Sequence, residues 1–220
     1  MESPGFLQGI VIAFQTGGTW MYPIAIALAV SVALCLERVI RLFQLNVDGT
    51  SFMFEIQKYI LANDLDGAIR VCNGAGRAAL PKVVKAGLQR ATRDDNQIQN
   101  AIDAASLEMI PKLERRLNYL ALIANISTLL GLLGTINGLI RAFAAIAAAD
   151  PAQRQAILSS GISEAMNATA FGLVTAIFTM IAHSILTTKA TKILEDIDEF
   201  GVKLMDLLSA RKYRSGQKAE

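Results

Sequence analysis

Residues 117–140 read LNYLALIANISTLLGLLGTINGLI, and none of these 24 positions holds Asp, Glu, Lys or Arg. Residues 165–188, AMNATAFGLVTAIFTMIAHSILTT, form a second uncharged run of 24, and residues 6–36 form a third uncharged run. A helix of 24 residues is about 36 Å long, which exceeds the roughly 30 Å hydrocarbon layer of a bilayer. The three runs therefore predict three membrane-spanning helices.

The composition of the 220 residues agrees with this prediction. Hydrophobic residues make up 53% and charged residues 18%, with a mean hydropathy of +0.40, which is too apolar for an ordinary soluble domain. Aromatic residues are only 6%, and a mixture rich in Ala, Leu and Ile favours helices over an outer-membrane β-barrel. The sequence thus predicts an all-α membrane protein. A net charge of +2 excludes a nucleic-acid binder that relies on a basic surface.

The distribution of basic residues predicts the orientation. Residues 37–116 and 189–220 carry 19 of the 21 Lys and Arg, whereas residues 1–36 carry none and residues 141–164 carry two. Short segments rich in Lys and Arg stay on the cytoplasmic side, and the basic residues beside the span ends, such as Arg38, satisfy this rule. We therefore expect the amino terminus outside and the carboxyl terminus inside.

These observations divide the chain into seven segments. The first span is expected to be retained rather than cleaved as a signal peptide, because no basic stretch precedes it and no cleavage site follows it. The predicted segments are a periplasmic or interfacial amino-terminal segment at 1–17, transmembrane helices at 18–36, 117–140 and 165–188, a cytoplasmic helical domain at 37–116, a periplasmic connection at 141–164, and a cytoplasmic helical tail at 189–220.

Apolar periodicity extends the second and third spans into the cytoplasmic domain. Steps of three and four connect Ile98 to Leu120 with no turn signal between them, and Pro111 is expected at most to kink this helix. The same steps run from Ile193 to Leu207. We therefore predict two long helices whose apolar stripes pack on each other or on neighbouring subunits.

Capping residues predict shorter helices inside the cytoplasmic domain. Thr50 and Ser51 are expected to cap one helix, and Asp64 is expected to open the next. The sequence NGAG at 73–76 predicts a break. Cys35 and Cys72 fall in a span and in this domain, so we expect no disulfide between them.

The sequence lacks the usual signatures of catalysis. It has one His and contains none of the patterns HExxH, GxxxxGK[ST] and GxSxG, nor Cys or His residues at metal-ligand spacing. We therefore expect neither an enzyme nor a bound metal or organic cofactor. Polar residues inside the spans are the remaining functional signal, because polar atoms in lipid need partners or water.

The third span has a polar face and an apolar face. On a helical wheel, small and polar residues fall within about 120° of one another: they are Thr169, Gly172, Thr175, Ala176, Thr179, His183 and Thr187. The opposite, lipid-facing side holds Phe171, Val174, Ile177, Phe178, Ile181 and Ile185. Each threonine has the alternative of simply bonding to backbone carbonyls, and for His183 a packed imidazole is the favoured interpretation.

The second span carries two stripes. A polar stripe holds Asn118, Asn125, Thr128 and Thr135. A stripe of small residues, which allows helix backbones to approach closely, holds Ser127, Gly131, Gly134 and Gly138.

Two of these threonines are expected at the same depth. Thr135 precedes Arg141 by six residues and Thr169 follows Glu164 by five, which places them roughly 9 Å and 7.5 Å below the outer surface. Hydroxyls at one level can hold water or pass on a proton. No span contains Asp, Glu, Lys or Arg, and His183 is the one internal titratable candidate. Proton conduction would therefore require a carboxylate from a partner.

Four segments of the sequence resemble one family. The segments LLGLLGTINGLIRAF at 129–143 and EAMNATAFGL at 164–173 resemble the two intramembrane signatures of the MotA, TolQ and ExbB group of ion-driven motor subunits. The segments LPKVVKAGL at 80–88 and PKLERRL at 111–117 are similar to its cytoplasmic motifs. Because MotA-type subunits have four spans, three spans favour the ExbB/TolQ branch.

The resemblance implies a function and its partners. It implies a homopentamer in the bacterial inner membrane, surrounded by lipid, that encloses a dimer of an ExbD- or TolR-like protein. Each copy of that partner has one span and an intramembrane Asp. H⁺ flow would drive rotation, and the partner's periplasmic part would transmit work to the envelope, with a TonB- or TolA-like protein as a further partner. Thr135 and Thr169 match the family's path threonines, and Glu164 matches the acidic residue at the outer mouth.

Further polar residues are candidates for the path or pore lining, and glycines are candidates for helix packing. The path candidates are Thr128, Asn137, Glu164, Thr175, Thr179 and His183. The packing candidates are Gly131, Gly134, Gly138 and Gly172. Thr128 stands where the family often has Pro, and Asn137 stands at a usually apolar or aromatic position.

Three alternatives to a proton-driven motor stay open at this stage. A Na⁺-driven motor is one, because threonine hydroxyls could also serve Na⁺, although no span offers a negative side chain. A structural membrane scaffold that assembles partners without conducting ions is the second. A small-solute transporter is the third, and it is disfavoured because inverted repeats and broken helices are not evident. The sequence does not distinguish siderophore uptake, envelope constriction and motility.

Overall fold

The computed structural model describes Phe14 and residues 17–217, with side chains as far as Tyr213. All regular structure in this part of the chain is α-helical, which confirms the predicted fold class. Apart from Phe14 and Gly17, the segment predicted at 1–17 lies outside the described residues. The helices are α1 (Met21–Leu45), α2 (Gly49–Leu61), α3 (Leu65–Gly74), α4 (Ala79–Leu88), α5 (Asp95–Glu114), α6 (Leu117–Ala147) and α7 (Arg154–Gln217).

The three predicted spans are confirmed as helices. Among the described residues, three helical stretches are long and apolar enough to cross a membrane, and they contain α1, α6 and α7. Helix α7 is 64 residues long and unbroken, as the periodicity of the third span predicts. Helices α6 and α7 also take up most of the connection predicted at 141–164, and six residues, 148–153, separate them.

The chain forms two compact units. The first contains residues 17–37 and 116–184 among those described, and we call it the membrane unit. The second contains residues 38–115 and 185–217, and we call it the helical unit. Helices α1 and α7 contribute residues to both units, whereas α6 belongs to the membrane unit alone.

Side chains in the membrane unit follow the pattern expected in lipid. Several large apolar side chains are exposed in the single chain. Examples are Ile26, Val174 and Ile181, which are 66%, 64% and 57% exposed. Met21 and Ile24 of α1 are buried. On α7 the predicted lipid-facing side is exposed from Val174 onward, while Phe171 is half-buried. This exposed surface is the one that hydrocarbon or a neighbouring subunit would cover.

Local hydrogen bonds explain where two helices of the helical unit begin. Asp64 is the N-cap of α3, as predicted, and its Oδ1 accepts from the backbone N–H of Gly67 at 2.8 Å. Helix α2 begins earlier than expected, at Gly49 with Asp48 as its N-cap, so the cap predicted at Thr50 and Ser51 is wrong. The Ser51 hydroxyl instead donates to Asp48 Oδ2 at 2.5 Å and lowers the pKa of that carboxyl.

The core of the helical unit forms where α4, α5 and α7 meet. A Cβ at Gly87 of α4 would lie 2.8 Å from Leu204 Cδ2 and 3.0 Å from Ile102 Cγ1. Ile102 and Leu204 belong to the two apolar stripes read from the sequence, and both are buried. Within one chain, therefore, the two stripes pack on each other, and Gly87 lets α4 approach them.

The helix expected to run unbroken from Ile98 to Leu120 is interrupted. Helix α5 ends at Glu114 and α6 begins at Leu117, because Arg116 adopts a left-handed conformation with φ +65°. Pro111 lies inside α5 and does not end it. The Arg116 guanidinium pairs with the carboxylate of Glu37. Leu113 and Leu117 are both buried. The spacing of buried apolar residues therefore continues across the break.

Candidate functional site

Helices α6 and α7 of the membrane unit pack in close backbone contact. A Cβ at Gly172 would lie 2.9 Å from Gly131 Cα and 2.7 Å from the carbonyl oxygen of Ser127. A Cβ at Gly134 would lie 2.7 Å from Ala168 Cβ. Separations under 3.0 Å leave no room for a side chain, so these glycines set the distance between the two helices.

The same contact continues toward the ends of the two helices that residues 148–153 connect. A Cβ at Gly138 would lie 3.2 Å from Ala165 Cβ, and a Cβ at Gly161 would lie 2.3 Å from Ala142 Cβ. Residues further along α6 contact residues earlier in α7, so the two helices run antiparallel. The close-packed α6–α7 section therefore extends over residues 127–142 of α6 and 161–172 of α7.

Thr169 joins the two helices through its hydroxyl. Its Oγ1 donates to the carbonyl oxygen of Gly131 at 3.0 Å. The Thr135 hydroxyl instead donates within α6, to the carbonyl oxygen of Leu132 at 2.6 Å. Thr135 is one turn from Gly131, so the two threonines lie within about one helical turn of each other along the pair. Both side chains are half-buried, and each hydroxyl keeps acceptor capacity.

The other path candidates on α7 lie deeper in the protein. Thr175 and Thr179 are both 0% exposed. Thr179 donates to the carbonyl oxygen of Thr175 at 2.8 Å, while the buried Thr175 Oγ1 has no hydrogen-bond partner among the described residues. His183 is half-buried. The structure thus places this run of hydroxyls inside the membrane unit, away from the exposed apolar side of α7.

The two departures from the family pattern lie on α6. Thr128 is exposed, and its hydroxyl donates to the carbonyl oxygen of Ala124 at 3.2 Å. Helix α6 runs through this position without interruption. Asn137 is half-buried. Thr128, at the position where the resemblance leads us to expect a proline, therefore bonds to the backbone of its own helix.

An ion pair lies at the end of the α6–α7 section nearest residues 148–153. Arg141 Nη1 lies 3.4 Å from Glu164 Oε1, and the two side chains are 63% and 30% exposed. The sequence did not predict this pairing of Arg141 with Glu164. The spacing of oppositely charged residues at facing helix ends is the signal that could have indicated it.

The described residues contain no group of three or more His, Cys, Asp or Glu side chains able to hold a metal ion. Cys35 and Cys72 are free thiols. Burial raises the pKa of the Cys72 thiol to about 11, so this residue is a weak nucleophile at neutral pH. Between α6 and α7, the close-packed section offers the hydroxyls of Thr135 and Thr169 for hydrogen bonding, with the Arg141–Glu164 ion pair at one end.

Comparison with known proteins decides which family has this arrangement. The model of the MotA/TolQ/ExbB proton channel family matches residues 76–199, more than half of the chain. The chain belongs to this family. The match includes α6 and most of α7, and with them every threonine predicted for the path. Members of the MotA/TolQ/ExbB family are channel and motor subunits rather than enzymes, and three apolar helices make this member a multi-pass membrane protein.

Individual relatives place the chain in the ExbB/TolQ branch of the family. It is 38% identical to the Tol-Pal system protein TolQ of Haemophilus influenzae over 104 residues, which are 46% of this chain and 45% of that protein. It is 28% identical over 168 residues to a biopolymer transport protein, ExbB-like 3, of Synechocystis, covering 76% and 80% of the two chains. The chain therefore spans less than half of the TolQ length and most of the ExbB-like length.

Proposed function

We propose that this protein is the channel-forming subunit of a proton-driven motor of the ExbB/TolQ type in the bacterial inner membrane. Five copies enclose a dimer of an ExbD- or TolR-like partner, and proton flow between them performs mechanical work on the cell envelope, through a TonB- or TolA-like protein. Membership of the MotA/TolQ/ExbB proton channel family supports the general class. The oligomer, the partner and the coupling ion are parts of the proposal.

The observation that carries this proposal is the cross-helix bond from Thr169 to Gly131. It places a hydroxyl at the closest approach of two helices whose central residues carry no charge. A hydroxyl both donates and accepts a proton, but it does not titrate at physiological pH. Thr135 and Thr169 can therefore guide a proton or an ordered water, while the group that binds the proton must come from another chain.

The proposed path begins at Glu164 and leads inward past Thr135 and Thr169. The charge of Glu164 attracts a cation at the outer surface, where it is 30% exposed. Beyond the two threonines, the partner's intramembrane carboxylate accepts the proton and becomes neutral, which lets it move against the uncharged helices. A potential of 100 mV supplies about 2.3 kcal/mol for each charge that crosses.

Purification from the native membrane tests this proposal. The chain, carrying an affinity tag, is extracted in mild detergent and its companions are identified by mass spectrometry. We expect a co-purified protein with one membrane span that contains a carboxylate. The complex is then reconstituted in vesicles enclosing a pH-sensitive dye, and an imposed potential should drive proton uptake.

Two outcomes would contradict the proposal in different ways. Recovery of the chain without any single-span, carboxylate-bearing protein would favour the structural scaffold. Uptake that requires Na⁺ and leaves the internal pH unchanged would replace the proton by Na⁺ as the coupling ion.

A further inference from the structure

Gly18 adopts a backbone conformation that other residues rarely accept. It lies three residues before α1, and its φ is +70°. In this left-handed region a Cβ collides with the backbone, so glycine is the residue that adopts it without strain. Glycine at position 18 therefore avoids the strain that a side chain would bring to this turn.

The side chain of Glu164 fills the space that a Cβ at Gly18 would need. Such a Cβ would lie 1.9 Å from Glu164 Oε1, 2.7 Å from Cδ and 2.9 Å from Cγ. All three separations are shorter than any real non-bonded contact of a Cβ. The carboxyl group of Glu164 therefore rests directly on the backbone of Gly18, and any other residue at position 18 would displace it.

Arg141 pairs with the same carboxyl group. Its Nη1 is 3.4 Å from Oε1, the oxygen that also lies closest to Gly18. Glu164 and Arg141 both line an open cavity of about 540 Å³ together with Ser160 and Gly138. The carboxyl group thus lies close to both a glycine turn and a guanidinium, and its residue lines an open cavity.

We propose that Gly18 is a positioning residue that fixes the carboxylate of Glu164 at the outer end of the path toward Thr135 and Thr169. This inference rests on the proposed function, because it assigns Gly18 a purpose in ion transfer. Glycine at this position lets the carboxylate lie against the turn before α1 and face the cavity. A larger residue would push the carboxylate away from the section that leads to the threonines.

The functional test measures proton uptake by vesicles containing the native complex. Gly18→Ala should lower the rate about tenfold or more, since small displacements of a transfer group carry large rate penalties. Combining Gly18→Ala with Glu164→Asp shortens the side chain by one methylene and removes the shortest contact, the one at 1.9 Å, so part of the rate should return. Gly18→Ala should lose rate while its free energy of unfolding, measured by SDS titration, stays near the wild-type value. A merely structural role would lower both together, and Glu164→Asp would then restore both together.

Gly76→Ala is the matched control for backbone strain. Gly76 has a φ of +66° and no heavy atom within 4 Å of its Cβ position, so the change adds the same strain without any clash. We expect this variant to keep the wild-type rate. Equal losses in Gly18→Ala and Gly76→Ala, or a wild-type rate in Gly18→Ala, would overturn the proposal.

Cross-linking tests the geometry without reference to transport. The Cβ position at Gly18 is 2.9 Å from Glu164 Cγ, so the two Cβ positions lie within about 4.5 Å, as a disulfide requires. In a Cys35→Ala, Cys72→Ala background, Gly18→Cys with Glu164→Cys should form a disulfide on mild oxidation. Gly18→Cys with Ala170→Cys, about 9 Å further along α7, should not.

The two experiments separate failure of the inference from failure of the proposed function. Absence of the disulfide would overturn the placement of Gly18 beside Glu164 and leave the motor assignment untouched. A disulfide that forms while the native complex shows no proton uptake would contradict the motor assignment, and with it the purpose given to Gly18.

Discussion

At the scale of single residues, the hydroxyls of the membrane unit differ in what they bond. Thr128 and Thr179 donate to carbonyls of the preceding turn of their own helix, which is the ordinary behaviour of threonine in a membrane helix. Thr169 donates across to α6 instead. This difference sets Thr169 apart from threonines that satisfy only their own helix, and it makes Thr169 the residue on which the proposed path depends most.

Replacing a path hydroxyl by an isosteric methyl should stop transport and preserve assembly. We expect Thr169→Val and Thr135→Val each to lower proton uptake by the reconstituted complex at least about tenfold, because valine can neither donate nor accept a proton. The oligomer, followed by gel filtration, should be unchanged. The loss of one hydrogen bond costs only about 1 kcal/mol of stability.

Thr191→Val provides the matched control for these variants. Thr191 is an exposed residue of α7 in the helical unit, so its replacement should leave uptake at the wild-type rate. Wild-type uptake by both Thr135→Val and Thr169→Val would rule out the threonine path.

The buried thiol of Cys72 should react slowly with alkylating reagents. Its pKa is raised from 9.0 to about 11 by burial, and the residue is 5% exposed. At pH 8 this leaves about 100-fold less thiolate than an unperturbed thiol would have. In a Cys35→Ala variant, iodoacetamide labelling followed by mass spectrometry should show this deficit relative to the denatured protein. Equal labelling rates of Cys72 in the folded and denatured protein would contradict the raised pKa of this thiol.

At the scale of helices, small residues rather than large ones determine how α6 and α7 meet. The glycines of the close-packed section face backbone atoms or alanine side chains across the contact. In lipid, where apolar surface alone does not drive association, such close packing is a main source of helix affinity. This contact also carries the bond from Thr169, so its geometry supports the path as well as the fold.

Adding one methyl to this contact should destabilise the membrane unit. Gly172→Ala would place a Cβ 2.7 Å from the Ser127 carbonyl oxygen and 2.9 Å from Gly131 Cα, and neither backbone atom can move aside easily. We expect a loss of about 1–3 kcal/mol in the free energy of unfolding, measured by SDS titration in mixed micelles. Ala170→Val, on the exposed side of the same helix, should change it little. Equal changes in the free energy of unfolding of Gly172→Ala and Ala170→Val would contradict the close contact at Gly172.

The start of α2 predicts a pH-dependent effect. The Ser51 hydroxyl lowers the pKa of Asp48 below its usual 3.8. A carboxylate with a depressed pKa in the folded state stabilises the protein above pH 3.8, and this contribution is lost as the pH falls through the folded value. Ser51→Ala should therefore lower the melting temperature at pH 7 and have less effect at pH 2. The neighbouring Thr50→Val should show no such pH dependence.

At the scale of the whole molecule, the sequence predicts the architecture well because the membrane imposes strong rules. Uncharged runs of 24 residues or more have few structural alternatives, and each of the three contributes to a long apolar helix among the described residues. The cap at Asp64 was also predictable, since a carboxylate before a helix has a specific bonding partner. The orientation with the amino terminus outside stays a prediction.

Other features could not be predicted from the sequence for physical reasons. The break at Arg116 depends on a left-handed conformation that arginine seldom adopts, so composition gives no sign of it. The carboxylate of Glu164 reaches Gly18, a contact between residues 146 positions apart, and only the folded chain reveals it. Hydroxyl faces are visible in a sequence, but whether a given threonine bonds within its own helix or across to another is decided by packing.

A structure of the oligomer, purified with its partner from the native membrane and determined by electron cryomicroscopy, tests most directly whether Thr135 and Thr169 face a partner carboxylate. We predict five copies of this chain around single-span helices, with Thr135 and Thr169 facing a carboxylate on those helices. A central space that holds no second chain, or one from which both threonines point away toward lipid, would contradict the account.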